Sequence, residues 1–221
     1  MSLIDSLISR GYLKTPHIIK AFQRIKRIDF LPEKLKFLAE VDEALTIGWG
    51  QTISQPLVVA FMMELLRPKE GEKILDVGSG SGWTSALLAH IVSGRELNTK
   101  RKKKKGKGSG KIIAIDIIPE LIEFGKENVS KYNFIEKGIV EFICADGSQG
   151  YEKEAPFDKI LVSASAEKVP LSLKEQLKIG GRLVIPIINS IFLFIKKEKN
   201  KFEEKEYPGF VFVPLVEKNK Q

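Results

Sequence analysis

The sequence predicts an α/β fold, doubly wound around a mainly parallel sheet, with an N-terminal helical layer and an antiparallel C-terminal edge. Three observations carry this. Short apolar runs ending in an acid or a turn recur at KILDVG, KIIAID, residues 139–144 and FDKILVSA. Stretches of helical pattern alternate with them, as a parallel sheet covered by helices on both faces requires. From Ile187 onward the helical pattern ceases, and IFLFIKKE and GFVFVPLV read as strands in antiparallel pairing at the sheet edge.

The first 30 residues read as helical. Thr15-Pro16 supplies an N-cap and then proline at the first helical position, where its missing N–H is no loss; Ile18, Ile19, Phe22 and Ile25 follow along one face. Residues 45–56, LTIGWGQTISQP, contain glycines, threonines and a closing proline and read as a loop feeding the helix 57–66. That helix is almost wholly apolar and is expected to be buried. KILDVG is the first core strand, 84–92 the helix after it and KIIAID the second strand, and Pro119 opens a helix through Val129. Ala145-Asp146-Gly147 stops the third strand. The fourth is followed by a helix over 171–178, whose Gly180-Gly181 stop leads into RLVIPI. The expected layout is one domain over 1–221. It comprises a helical layer with an active-site loop (1–55), a cofactor-binding core (56–186) and edge strands (187–221).

A chain of 221 residues, 43% hydrophobic, is ample for one substantial core. The net charge of +8 is local, because residues 93–111 hold nine lysines and arginines against Glu96 alone and the remainder sums to zero. The body therefore makes no general electrostatic appeal to nucleic acid or membrane. The single cysteine, Cys144, excludes an internal disulfide and fits a reducing compartment, so the expected location is the cytoplasm. MSLIDSLISR lacks the charged start and long apolar core of a signal peptide. No apolar run approaches the roughly 18 to 20 residues of a membrane span.

DVGSGSGW puts Gly78, Gly80 and Gly82 directly after a strand and before a helix, where backbone must come close to a ligand. A dinucleotide fingerprint, G-x-G-x-x-G, needs a third glycine where Trp83 stands, which disfavours NAD. Each signal has a plain structural reading of its own: tight strand-to-helix packing for the glycines, a helix cap for Asp116, a simple turn for Asp146-Gly147. Together they stand at the ends of three successive strands, the edge where ligands bind in such sheets.

The pattern Asp-x-Gly-x-Gly-x-Gly resembles the first motif of class I S-adenosylmethionine-dependent methyltransferases, which are Rossmann-like. The resemblance implies that Asp76, Gly78, Ser79, Gly80, Ser81 and Gly82 hold the aminocarboxypropyl end of S-adenosyl-L-methionine, whose product is S-adenosyl-L-homocysteine. Asp116 then takes the ribose hydroxyls, since a carboxylate accepts two hydrogen bonds from a vicinal diol, and Asp146 and Gly147 form the adenine-binding turn. At GQTISQP the chain is more specifically similar to the protein-L-isoaspartate (D-aspartate) O-methyltransferases, which repair age-damaged proteins. The likeness extends over IGWGQTISQP, ILDVGSGSGW, IIAIDIIPEL, CADGSQGYEKEAPFDKILVSA, GGRLVIP and FVPL. It implies methyl transfer to the α-carboxylate of L-isoaspartyl residues, with Ser54 as the active-site serine, Thr52 and Ile53 lining the site, and residues 162–170, including Val169 and Pro170, helping to hold the substrate peptide.

This activity suits a chain with only two histidines, His17 and His90. A carboxylate is already ionised near neutral pH and a sulfonium is already activated, so no general base and no metal are needed. The task left is orientation. Ser54 has a second reading as the cap of the helix beginning near Pro56, and the two roles are compatible because a helix N-terminus also favours an anion. Trp49 is expected to shape the peptide site, Trp83 to pack against the sheet or wall the cofactor pocket, and Cys144 to be a small buried hydrophobe. Ser163-Ala164-Ser165 stands where the family usually has Thr-Ala-Ala, and IINSIFLF after GGRLVIP implies a shortened substrate-facing loop. The family passes from the first core helix to the second strand by a short turn, which makes residues 94–110 an insertion. A solvated loop is the main reading there and a nucleic-acid tether the lesser one. A monomer is expected. The rivals are a methyltransferase for another acceptor, such as RNA, and a non-catalytic cofactor-binding adaptor.

Overall fold

A computed structural model describes residues 1–94 and 110–216. Its elements in chain order are α1 (Leu3–Ser9), α2 (Pro16–Arg24), β1 (Leu45–Gly48), β2 (Gln51–Ile53), α3 (Pro56–Leu66), β3 (Lys73–Val77), α4 (Trp83–Val92), β4 (Lys111–Asp116) and α5 (Pro119–Ser130). There follow β5 (Val140–Cys144), β6 (Phe157–Val162), α6 (Leu171–Glu175), β7 (Leu177–Ile187), β8 (Ser190–Glu198) and β9 (Lys201–Pro208). The main sheet runs β5-β4-β3-β6-β7-β8-β9, parallel through β7 and antiparallel thereafter. Chain order reverses direction between β3 and β6, and the crevice beyond their carboxyl ends is the topological switch point of such a sheet.

Period-two alternation divides the core into two. Ile74, Ile112 and Ala114 face the cluster formed with α2, α3, α4 and α5, whereas Leu75, Val77, Ile113 and Ile115 face a second cluster with Leu173 and Leu177. The two faces are unequal. The second is covered by the five-residue α6 and by two 3₁₀ turns, Gly147–Gln149 and Glu152–Glu154.

Several expectations are corrected. Residues 45–53 are a β-hairpin rather than a loop, with Leu45 paired to Ile53 and Thr46 to Thr52. Trp49 (φ 52°) and Gly50 (φ 70°) sit at its tip, and two positive φ values in a two-residue connection make a type I′ turn. The helix expected over 171–178 ends at Glu175, because Leu177 joins β7 opposite Phe157. The buried Lys196 ammonium donates to the carbonyls of Lys174, Glu175 and Leu177 at 3.0, 3.0 and 2.8 Å, satisfying acceptors that the short helix leaves open. The last strand is KFEEKEYP, β9, and not GFVFVPLV. Its charges suit an exposed sheet edge, and Pro214 lacks the N–H a ladder needs. Thr15 does stand at the N-cap of α2 but caps nothing, since its Oγ1 donates to Glu64 Oε2 at 2.6 Å instead. Cys144 is exposed, at the end of edge strand β5. The insertion reading at 94–110 falls almost wholly outside the described residues.

Candidate active site

A cavity of about 280 Å³ opens at the carboxyl edge of the sheet, at the switch point. Four strand ends contribute to it: Val77 with the Gly78–Ser81 loop, Ile115 to Ile118 after β4, Gly147 after β5, and Ser163-Ala164 after β6. The hairpin closes another side with Gln51, Thr52, Ile53 and Ser54. The lining is mostly apolar, and among the described residues Asp116 is its one charged member.

The glycine loop is positioned by packing as much as by its own conformation. Gly82 (φ 83°) lies against α5 so closely that an added Cβ would come within 2.8 Å of Val129 Cγ2. At Gly147 a Cβ would meet Val77 Cγ1 at 2.4 Å, so this turn reaches the cavity only as glycine. Asp116 Oδ2 accepts the Gly80 N–H at 2.9 Å and Oδ1 accepts the Ile118 N–H at 3.1 Å, locking the ends of β3 and β4 together. Burial pushes the Asp116 carboxyl above its ordinary value, opposed by these backbone donors. Each of its oxygens keeps a lone pair for a further donor. Ser79 Oγ is buried without a hydrogen-bond partner among the described residues.

Nine of the residues singled out in the sequence meet around this one cavity: Thr52, Ile53, Ser54, Gly78, Ser79, Gly80, Ser81, Asp116 and Gly147. Five do not line it. Asp76 is fully buried beneath the loop, where its Oδ2 accepts from Thr84 Oγ1 at 2.8 Å and Ser85 Oγ at 2.6 Å, fastening β3 to the start of α4. Desolvation raises its pKa to about 6, more than the two hydroxyls can offset. Gly82 serves through its close packing, and Asp146 Oδ1 takes the Ser148 N–H at 2.9 Å, capping the turn that carries Gly147. Val169 packs on the second core, and Pro170 precedes α6.

Ser54 is half-buried between β2 and α3. The capping role considered for it falls elsewhere: Gln55 occupies the N-cap without a side-chain bond, and the Leu57 N–H is taken by Asp42 Oδ1 at 2.8 Å. Trp83 is 3% exposed, walls the cavity and meets Phe22 edge-on at 5.7 Å. Trp49 lies outside, half exposed at the hairpin tip, 6.4 Å from the ring of Phe124.

Sequence reasoning missed Gln51, Ile117, Ile118 and Leu121 in the lining, and with them Val213, Pro214, Leu215 and Val216, which cross the cavity as a strap. Ser165 holds the strap in place: its N–H donates to Val213 O and its carbonyl accepts the Leu215 N–H, both at 2.8 Å. Pro214 inside an otherwise strand-like run was the available signal. Where IINSIFLF follows β7, the chain makes a tight turn into β8, with Ile188 at φ 54°. Among the described residues no three His, Cys, Asp or Glu side chains gather into a metal-holding group. No helix among them is long and apolar enough to cross a membrane.

Known proteins resemble this chain in fold and in sequence. A solved chain from Plasmodium falciparum, in complex with S-adenosyl-L-homocysteine and proposed to be a protein-L-isoaspartate O-methyltransferase, superposes with a TM-score of 0.82 over 97% of this chain and 96% of its own. At 24% identity that likeness concerns the fold. A protein-L-isoaspartate O-methyltransferase of Methanopyrus kandleri is 39% identical over 97% of this chain and 89% of its own. Protein-L-isoaspartate O-methyltransferase 1 of Archaeoglobus fulgidus is 41% identical over 91% of this chain and 86% of its own. The family model for protein-L-isoaspartate(D-aspartate) O-methyltransferase matches residues 1–220. By this match along its whole length, and by the two relatives, the chain belongs to the protein-L-isoaspartate (D-aspartate) O-methyltransferase family.

Proposed function

We propose that this chain transfers a methyl group from S-adenosyl-L-methionine to the α-carboxylate of L-isoaspartyl residues in damaged proteins. One observation carries the reading: the glycine loop with Asp116 and the GQTIS hairpin, far apart in sequence, line the same cavity. The residues present suit the cofactor. Gly78, Ser79, Gly80 and Ser81 would hold its amino-acid end, with the Ser79 hydroxyl, unpartnered among the described residues, as one donor, and Asp116 would accept from the ribose diol. Gly147 would lie against the adenine, on a turn capped by Asp146.

S-Adenosyl-L-methionine supplies a sulfonium-bound methyl that needs no further activation. On the acceptor side Ser54 donates to the carboxylate without quenching its charge, and Thr52 and Ile53 confine it. The transfer unites a cation and an anion into neutral products, so charge disappears along the way. A mostly apolar lining favours that loss of charge relative to water, where both ions are strongly solvated. The resulting ester cyclises without the enzyme to a succinimide, whose hydrolysis returns some normal aspartyl peptide.

The test is radiolabelled methyl transfer to an isoaspartyl peptide, its aspartyl counterpart and RNA. Label on the isoaspartyl peptide alone is expected. Label on RNA alone would replace this acceptor, and label on none, with cofactor binding intact, would leave an adaptor. The lone cysteine supports a reducing compartment, which we take to be the cytoplasm, and the chain is taken to act as a monomer, testable by light scattering. A nucleic-acid tether remains as a second reading because the entire net charge is concentrated in residues 93–111.

A further inference from the structure

We infer that Arg27 is a positioning residue for the acceptor site, fixing the backbone that presents Ser54. The inference rests on the reading of Ser54 as the acceptor-side donor. Arg27 begins the 3₁₀ turn Arg27–Phe30 and is only 6% exposed, yet among the described residues it forms no salt bridge. Burial pulls its pKa down to about 10, so it stays charged at neutral pH. Asp42 and Glu40 attract it through space without forming an ion pair and offset only part of that burial, and an apolar side chain would fill the same space at lower cost.

What the guanidinium does touch explains its presence. Nη1 donates to Val41 O at 2.9 Å and Ala39 O at 3.4 Å; Nη2 donates to Glu43 O at 2.7 Å and Ser54 O at 3.4 Å. All four acceptors are main-chain carbonyls, three in the segment before the hairpin and one at its exit. The same two stretches are tied again by Gln55 Nε2 to Asp42 O at 3.0 Å and by Leu57 N–H to Asp42 Oδ1 at 2.8 Å. On its other side the guanidinium carbon lies 5.6 Å from the centre of the Trp83 ring, a wall of the cavity. Ile53 is held on one side of Ser54 by its pairing with Leu45 and the Ser54 carbonyl on the other by Arg27, and the two anchors together set the direction in which the Ser54 side chain leaves the backbone. A planar fork can serve several acceptors at set angles, which a lysine ammonium cannot reproduce.

The test uses the full chain with Arg27→Lys and Arg27→Gln, each alone and combined with Ser54→Ala, assayed on an isoaspartyl peptide at a temperature where circular dichroism shows them folded. Arg27→Lys should lower kcat about tenfold while the Kd for S-adenosyl-L-homocysteine stays within about twofold. In the Ser54→Ala background the same change should cost less than about threefold, because the group being positioned is gone. Arg27→Gln, which also loses the charge, should behave alike and keeps the result independent of one variant's folding. Equal losses in both backgrounds, no loss at all, or a parallel loss of cofactor affinity would each overturn the inference. A wild-type chain that leaves the isoaspartyl peptide unmethylated overturns the acceptor reading and this inference with it, which differs from an active wild type with indifferent variants.

Discussion

Asp116 offers the sharpest single perturbation of the cofactor side. Its two oxygens each accept one backbone N–H, from Gly80 at 2.9 Å and Ile118 at 3.1 Å, and are read as accepting the two ribose hydroxyls as well. Hydrogen bonds to a charged group contribute about 1.5–3 kcal/mol each. Removing the carboxylate by Asp116→Ala forfeits both ribose bonds, about 3 kcal/mol at the lower figure. At about 1.4 kcal/mol per tenfold, Kd for S-adenosyl-L-homocysteine should rise on the order of a hundredfold. Asp116→Asn should fall between, at roughly tenfold. Its amide keeps one acceptor oxygen, so whichever way it turns, its NH₂ confronts either the Gly80 or the Ile118 N–H.

Titration calorimetry near pH 7.5, with folding checked by circular dichroism, gives the two constants. A loosened Gly80 would also weaken binding, so the 2′-deoxy analogue of the product separates the causes. Wild type should discriminate against the analogue, and Asp116→Ala should bind both forms alike. An alanine variant that stays folded and binds the natural product within about threefold of wild type refutes the ribose contact.

Ser54→Ala should lower kcat on isoaspartyl peptide by about one to two orders of magnitude, as loss of a donor to a charged acceptor implies, with cofactor Kd and melting temperature nearly unchanged. A lowered melting temperature at full turnover would make Ser54 a scaffold residue. Asp76 gives a pH prediction with a defined sign, because its pKa rises from the ordinary 3.8 to about 6 on folding. Between those values the folded chain binds a proton that the unfolded chain does not, so this group makes stability increase as pH falls and is least favourable above pH 6, by roughly 3 kcal/mol. Asp76→Asn should therefore gain on wild type in urea melts of the cofactor-free protein at pH 7.5 more than at pH 4.5, and an equal gap at both refutes the assignment. The Gly94 and Gly110 N–H groups bond back to the Ile91 and Val92 carbonyls. Deleting residues 98–109 should leave isoaspartyl methylation and melting temperature intact and abolish any salt-sensitive RNA binding; RNA binding that survives deletion removes the tether reading.

The central sheet was legible because strands buried on both faces write themselves as uninterrupted apolar runs, and Ile74, Leu75, Ile112 and Ile113 occupy the positions their alternation implies. The hairpin and β9 were not, for opposite reasons. β1 and β2 are short and half exposed, with a type I′ turn at Trp49-Gly50 instead of the usual Asn-Gly, and β9 is an edge strand whose charges guard against further pairing while masking its period. Reading Ser54 as a possible cap also failed on a long-range contact: Asp42, fifteen residues before Leu57, already occupies that donor.

The site divides along the same line. Glycines that bring backbone to a ligand, and an acid at a strand end, act where they stand, so their spacing survives in the sequence as a motif. The strap Val213–Val216 and the clamp of Arg27 on the Ala39, Val41, Glu43 and Ser54 carbonyls act through hydrogen bonds to main-chain carbonyls of distant segments. Such bonds demand no particular residue on the accepting side, and they leave no spacing to read. Arg27 is the instructive case, because its own identity matters while its partners' identities do not. A sequence therefore advertises the groups that touch a ligand more readily than the groups that aim them, and the aiming groups must be sought as buried charges whose hydrogen bonds go to main-chain carbonyls.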